Sequence, residues 1–361
     1  MKRYSIAVLP GDGIGVEVTA AALALLEALA PRLQRRFDCT RHPAGAQHYV
    51  DSGDALPAAT LQACRQADAI LFGAMGLPHV RGADGTEIIP QLDIRFALDL
   101  YAGVRPIRTW PGLPVPLADP RAAQIDLVLV RESTEGLFHA RGRGVIEGQG
   151  TAACAYDTMK ITHAGTARVC DFAFELARQR KAQGRRGHVT NVDKANVFTS
   201  MAFWRQVFEE RSRAFADISV ENAYVDAMAL NLVMKPWQYD VLVTENMFGD
   251  ILSDLIAALV GGMGMAPSAD IGEHHALFQP AHGTAPDIAG QGIANPSAML
   301  LSVAMLLDWL AVRHGDPVLA DGARAIEGAL QLAFASAAVR PRDFGGTSST
   351  ADIVRAVVER L

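Results

Sequence analysis

The chain has only four cysteines, Cys39, Cys64, Cys154 and Cys170, far apart, with no CxxC and no cysteine–histidine cluster. That spacing speaks against a zinc or redox motif, and the four read as reduced, mostly buried thiols of a cytoplasmic protein. Long apolar runs are also missing. No stretch approaches ~18–20 uninterrupted apolar residues, so no membrane span is expected. The apolar part of the opening MKRYSIAVLPGDGIG is too short for a signal-peptide core and passes straight into a glycine turn. Positive charge is not in excess either: the net charge is −6, which argues against a general binder of phosphate backbones, so nucleic acid is not an expected partner. Repeats and low-complexity tracts are absent.

What is present suits a soluble enzyme. Half of the 361 residues are hydrophobic and 20% are charged, enough to build a large core, and the length predicts two domains or one large α/β unit. Residues 4–10 alternate like a strand, 11–15 turn, and 16–30 have the apolar spacing of a helix. Further short apolar runs at 69–72, 127–130, 188–192 and 240–243 are mostly followed by polar or glycine residues and helix-like segments, which predicts an α/β fold. Loops are expected at 75–86, rich in Gly and Pro, and at 107–120, where prolines at 111, 114, 116 and 120, with 106 just upstream, exclude helix and central strand. Residues 139–150 read as a flexible arm or hairpin. After Pro296, SAMLLSVAMLLDWLAVRHG is apolar almost all round and predicts a buried helix ending at Gly315.

The most informative stretch is TENMFGDILSD, 244–254, which sets Asp250 and Asp254 four residues apart. On a helix they share one face with Cβ atoms roughly 5–6 Å apart, close enough to grip one cation. An exposed helix would simply solvate both. The apolar flanks YDVLVT and LIAALVGGMGM favour the mouth of a core, where carboxylates want a partner. Asp226 is the only acid in AYVDAMALNLV. Three carboxylates without a nearby Cys or His pair favour Mg²⁺ or Mn²⁺ over zinc.

Arg95, Arg105 and Arg131 stand in or beside apolar segments. Converging, three guanidiniums would suit a di- or tricarboxylate; singly, each reads as a surface or salt-bridge residue. Arg131 ends a strand-like run, where α/β crevices open. Lys194 follows another such run and reads as a general base if a cation lies near, otherwise as a solvated loop residue. The GDGIG turn lacks the G-x-G-x-x-G fingerprint and has no ribose-binding acid near residue 35, so it reads as a tight turn near a ligand or a purely structural one. The long loop 279–296 carries His282, Asp287 and Asn295. Long ordered loops tend to be functional, and an acid such as Asp287 accepts hydrogen bonds from two ribose hydroxyls while repelling a 2′-phosphate.

GDGIG, DLYAGVRP, VRESTEGLF, VDKANV, YVDAMA, NMFGDILSD and HGTAPDIAGQGIANP follow one another in the order and spacing of the β-hydroxyacid oxidative decarboxylases. Over nearly its whole length the chain resembles that family, which includes isopropylmalate, isocitrate, homoisocitrate and tartrate/malate dehydrogenases. The resemblance implies a doubly wound, non-Rossmann α/β fold of isopropylmalate-dehydrogenase type. It also implies a cofactor domain at 1–100 plus 256–361, a central substrate, metal and dimerisation domain at 101–255, and a homodimer with shared active sites. By motif, Arg95, Arg105 and Arg131 would hold the carboxylates of a small hydroxy dicarboxylate. Asp250 and Asp254 would bind Mg²⁺ or Mn²⁺ with Asp226 of the second subunit, and Lys194, also from the second subunit, would help remove the hydroxyl proton. His282, Gly283, Thr284, Ala285, Asp287 and Asn295 would line the adenosine part of the cofactor, and Asn196 would approach the nicotinamide. NADP-preferring relatives have Lys-Tyr where this chain has Asp287-Ile288, so the expected cofactor is NAD.

The chain departs from the family in three places. Phe138 stands where a proton-donating tyrosine is usual; His139, on a strand, would point to the other face. The segment Ile88, Ile89, Pro90, Gln91 and Leu92 matches neither the isopropylmalate nor the isocitrate pattern, and an apolar wall there would disfavour a third substrate carboxylate. Gln279 replaces the usual Glu. The expected reaction is oxidation and decarboxylation of a 3-isopropylmalate-type substrate, with a tartrate/D-malate-type enzyme or a catalytically weakened regulatory relative as the alternatives.

Overall fold

A computed structural model describes residues 1–83 and 85–361; of the predicted 75–86 loop, Asp84 lies outside the described residues. The chain divides into two compact units, the first made of Met1–Leu100, Thr109–Ala118 and Ala257–Leu361, the second of Tyr101–Arg108 and Asp119–Ile256. The first opens with β1 (Lys2–Gly11), α1 (Ile14–Leu33), β2 (Arg35–Arg41), α2 (Ala46–Ser52), α3 (Ala58–Gln66), β3 (Ala69–Ala74) and α4 (Pro90–Leu98). The second carries β4 (Ala102–Arg108), β5 (Asp126–Glu132), β6 (Val145–Glu147), β7 (Cys154–Tyr156), α5 (His163–Ala182), β8 (His188–Asp193), α6 (Thr199–Ser212), β9 (Ser219–Tyr224), α7 (Val225–Met234), β10 (Val241–Thr244) and most of α8 (Asn246–Leu259). The first resumes with β11 (Pro267–Ile271), β12 (Ala276–Pro280), α9 (Ser297–His314), α10 (Pro317–Ala335) and α11 (Thr350–Val358).

In the first unit the strands run β2-β1-β3-β12-β11, parallel except for the antiparallel β11–β12 pair. In the second they run β4-β5-β10-β8-β9, with only β4–β5 antiparallel. Every residue of β3 and of β10 is buried, as expected of parallel strands covered on both faces. The alternating α/β order of the sequence predicts this class, and the fold is a mixed α/β structure.

Local chemistry sets the element ends. α1 starts where Gly13 takes φ 54° and stops at Gln34 in the left-handed conformation, running past Pro31 in its last turn. α9 fills the predicted span and ends at Gly315 with φ 57°, the residue most tolerant of that geometry. By length and composition alone, α1 and α9 are apolar enough to cross a membrane, although Glu17 and Glu27 interrupt the first and Asp308 the second. Both are packed helices here, α9 burying twelve of its residues, among them Leu300, Leu306 and Leu310.

Three details correct the sequence-based picture. Pro106 lies within β4, opposite Val128. Val128 turns its N–H away, to Asp240 O at 2.8 Å, so this is a non-hydrogen-bonded pair and the β4–β5 ladder loses no bond by a proline there. The segment after His139, by contrast, agrees with the hairpin reading: it contributes β6, antiparallel to β7, and both strands are exposed. Cys64 and Cys170 are buried, but Cys39 is half-buried and Cys154 exposed; all four are free. The loop 109–118 groups with the first unit, not with the central segment, because Trp110 packs edge-on against Phe334 at 6.1 Å.

Candidate active site

In the second unit, β5 delivers Arg131 at its C-terminal end, 3% exposed. Its Nε and Nη2 both donate to Asn246 Oδ1, at 2.9 and 2.6 Å, and its Nη1 pairs with Asp250. Phe138 lies beneath the guanidinium, 4.9 Å from it to the ring centroid. A buried guanidinium thus meets a carboxylate, an amide and an aromatic face, each of which compensates lost hydration. Arg105 on β4 is also buried, at 5% exposure.

α8 presents Asp250 and Asp254 on one face, as the spacing predicts. Glu245 caps it: its carboxylate accepts from Met247 N at 3.1 Å and Phe248 N at 2.7 Å. Burial pushes the Glu245 carboxyl up. Asp250 and Asp254 are exposed rather than sunk at the mouth of a core as expected, and Asp226 is exposed too; the apolar flanks of α8 turn inward while its acids face out. Partial desolvation and then the neighbouring Asp250 raise the Asp254 carboxyl above its ordinary value, against the opposing pull of Arg105 and Arg131.

Lys194 follows β8 and Asp226 opens α7, and they meet: Nζ lies 2.5 Å from Asp226 Oδ1. That hydrogen bond holds the Asp226 carboxyl below its usual value. The turn bearing Lys194 is built on Asp193, fully buried, which accepts from Ala195 N at 2.9 Å and takes both arms of Arg205 at 2.8 and 2.7 Å. Asn196 is exposed on the same turn. Among the described residues, no group of three or more His, Cys, Asp or Glu side chains is arranged to hold a metal, so Asp226 does not join Asp250 and Asp254 within this chain.

In the first unit the GDGIG turn is tied to the long loop. Ile14 N donates to Thr284 O at 2.8 Å, and a Cβ on Gly13 would strike that carbonyl. Asp12 accepts from Ala46 N at 2.7 Å, Gln47 N at 2.9 Å and Gly76 N at 2.9 Å, so the turn is structural and also frames the loop. Thr284 Oγ1 donates to Gly76 O at 2.7 Å, and Ala285 takes the unusual φ of 36°. His282 contacts Gly283 O through Nδ1 at 2.9 Å; burial lowers its pKa, which favours the neutral ring. Asn295 Nδ2 donates to Asp343 at 3.1 Å, while Asp287 is exposed. Arg95 also belongs to this unit, 3.2 Å from Asp270.

Residues 5–357 match the sequence family described as isocitrate/isopropylmalate dehydrogenase. The 3-isopropylmalate dehydrogenase of Aquifex aeolicus is 42% identical over 314 residues, 86% of this chain and 84% of the relative. That of Deinococcus radiodurans is 41% identical over 366 residues, 98% and 96% of the two chains. Among solved structures, isocitrate dehydrogenase from Methylococcus capsulatus superposes with a TM-score of 0.86 at 35% identity, covering 99% of each chain. The chain belongs to the isocitrate/isopropylmalate dehydrogenase family. It is an oxidoreductase acting on a CH–OH group.

Within this family member the sequence pointed to charged groups and missed their holders. Asn246, Asp193, Asp270, Asp343 and Asp12 escaped notice because a buried side chain that braces another leaves no periodic signal. Phe138 is on a 3₁₀ turn, Leu137–Ala140, not a strand, so the argument that His139 must face away does not apply; both His139 ring nitrogens face Arg143 Nη1, at 3.0 and 2.6 Å. Ile88 packs in a buried apolar cluster with Leu77 and Val80. Gly249 is legible only in three dimensions: a Cβ there would lie 2.6 Å from Arg131 Cγ. Since the stem of Arg131 is buried, Gly249→Ala is expected to displace the guanidinium and raise the hydroxy-acid KM about ten-fold or more, with unchanged cofactor KM; steady-state kinetics check this.

Proposed function

We propose that the protein is an NAD-dependent, Mg²⁺- or Mn²⁺-dependent dehydrogenase that oxidises and decarboxylates a 2-hydroxy dicarboxylic acid of the 3-isopropylmalate type. It would work as a cytoplasmic homodimer with shared active sites. The observation that carries the reading is the contact of buried Arg131 with Asp250, one turn from Asp254. A cation for a substrate carboxylate and a pair of hard oxygen donors stand side by side, and the relatives named above supply the substrate class.

The residues fit both absent groups. Asp250 and Asp254 are unshielded carboxylates whose mutual repulsion a divalent cation would relieve. In the 281–296 loop, Gly283, Gly290 and Gly292 border open space, and exposed Asp287 is available to ribose hydroxyls. Once bound, the cation supplies Lewis-acid stabilisation of developing negative charge and NAD accepts the hydride. Arg95, Arg105 and Arg131 would hold the substrate carboxylates, and Asn196 would approach the nicotinamide. Lys194 would help remove the hydroxyl proton, which requires its neutral amine and so its release from Asp226, the carboxylate that would turn to the cation.

After CO₂ leaves, a proton must return to carbon, and Phe138 has none to give. Its ring instead lies against Arg131. Protonation would then come from water or another side chain, or the reaction would stop at oxidation. Phe138→Tyr is expected to raise decarboxylation turnover by about ten-fold or more; unchanged turnover would remove this position from the chemistry. Phe138 is also the observation favouring the weakened regulatory alternative. NAD reduction with Mn²⁺ is the deciding assay, run against isopropylmalate, D-malate, tartrate, isocitrate and homoisocitrate with CO₂ followed in parallel. Matching NADH and CO₂ with isopropylmalate supports the proposal; D-malate or tartrate as the preferred substrate supports the runner-up, and no NADH from any of them overturns both.

A further inference from the structure

Three polar side chains of the first unit meet out of contact with water. Arg95 on α4 is 5% exposed, Asp270 on β11 1% and Gln279 on β12 8%. Arg95 Nε lies 3.2 Å from Asp270 Oδ2, and Gln279 Nε2 donates to that same oxygen at 2.9 Å. The register explains the meeting: Ser268 is opposite Gln279 and Asp270 opposite Leu277, so Asp270 and Gln279 are diagonal neighbours on one face of the pair. Ser302 Oγ, on α9, donates to Gln279 O at 2.7 Å and fixes that strand from the helix side.

A buried guanidinium needs a compensating charge, and where that charge sits decides which edge of the fork remains for a ligand. Asp270 lies nearest Nε without accepting its hydrogen, and the two terminal amino groups are the donors that could reach another carboxylate. Gln279 is neutral, so Asp270 and Gln279 together bring a single negative charge to Arg95. A second carboxylate at position 279 would meet Asp270 Oδ2 at hydrogen-bond distance and add a repulsive charge to a place meant to attract an anion.

We infer that Asp270, oriented by Gln279, is a positioning residue that aims the terminal edge of Arg95 at one carboxylate of the substrate, and that the single negative charge of this pair tunes affinity for the dianion. The inference rests on the reading of Arg95 as a substrate arginine. The test is steady-state kinetics of Asp270→Asn, Gln279→Glu and the double variant D270N/Q279E, with Arg95→Lys as reference and melting curves for all four. Asp270→Asn is expected to raise the hydroxy-acid KM about ten-fold or more while kcat changes less than about three-fold and the NAD KM stays put. Gln279→Glu, with two carboxylates about one guanidinium, raises it too. The double variant returns the cluster to one negative charge and recovers most of the loss, which a merely structural role would not produce.

The inference is overturned if folded Asp270→Asn keeps its substrate KM within about two-fold of wild type, or if the double variant is no better than Asp270→Asn alone. Should Asp270→Asn fail to fold, Gln279→Glu carries the test, and an unchanged substrate KM in it overturns the inference. Arg95→Lys separates the two layers: if that variant leaves the substrate KM unchanged, the role given to Arg95 itself falls, whatever Asp270 does.

Discussion

Asp250→Asn is expected to abolish Mn²⁺-dependent NADH formation, lowering kcat/KM by about 10³-fold or more, because one of the two carboxylates facing the cation is lost while its shape is kept. The fold should survive, since the exposed Asp250 is replaced by an amide whose oxygen can still accept from Arg131, and that guanidinium keeps Asn246 and the Phe138 ring. A readout independent of turnover follows from linkage. At a cation concentration about a hundred times Kd, wild-type stability should rise by about 2.7 kcal/mol, visible as a higher melting temperature, and the rise should vanish in Asp250→Asn. The pH dependence has a definite sign. Asp254 has a folded-state pKa above its unfolded value, so without metal its contribution to stability is fully present below the unfolded pKa and is lost as pH rises through the folded one. A cation binds the ionised form and reverses this penalty, so the melting shift caused by Mn²⁺ should be larger at pH 7 than at pH 5. An Asp250→Asn enzyme with normal metal-dependent activity would refute the site.

The same acids show how far the sequence reached. Spacing was enough to pair Asp250 with Asp254, because a helix repeats every 3.6 residues and needs no tertiary information. Their exposure was not legible, because apolar flanks say that a helix is buried without saying which side. The α/β alternation followed from short apolar runs, whereas Pro106 within β4 depended on which way Val128 turns its N–H, a property of the pairing alone. Among the functional candidates, Arg131 was readable from its place at a strand end. What braces it was not: Asn246 lies 115 positions away in the sequence, and Gly249 matters only because the arginine stem crosses it. The 3₁₀ turn at Phe138 defeated a strand-based argument for the opposite reason, since a four-residue element carries too little pattern to identify.

Mixing two inactive variants should restore activity. Lys194→Met and Asp250→Asn are each expected to be inactive as homodimers, and if Lys194 serves the site of the second subunit, a mixed dimer of the two contains one complete site and one doubly defective site. Random subunit exchange makes half of the dimers mixed, so the recovered activity should approach about a quarter of wild type. The structure makes the experiment decisive in both directions. Lys194 and Asp226 are locked to each other at 2.5 Å, so they travel as one functional piece, and Arg131, Asp250 and Asp254 form another. No metal-binding group of three joins the two pieces among the described residues. If both pieces instead served a site within one chain, every mixed dimer would carry one defect in each site and the mixture would stay dead. Exchange must be verified by mass-tagged subunits, because a slow dimer would also give no recovery. With exchange established, zero activity assigns Lys194 to its own chain, and a quarter of wild-type activity assigns it to the neighbour's site.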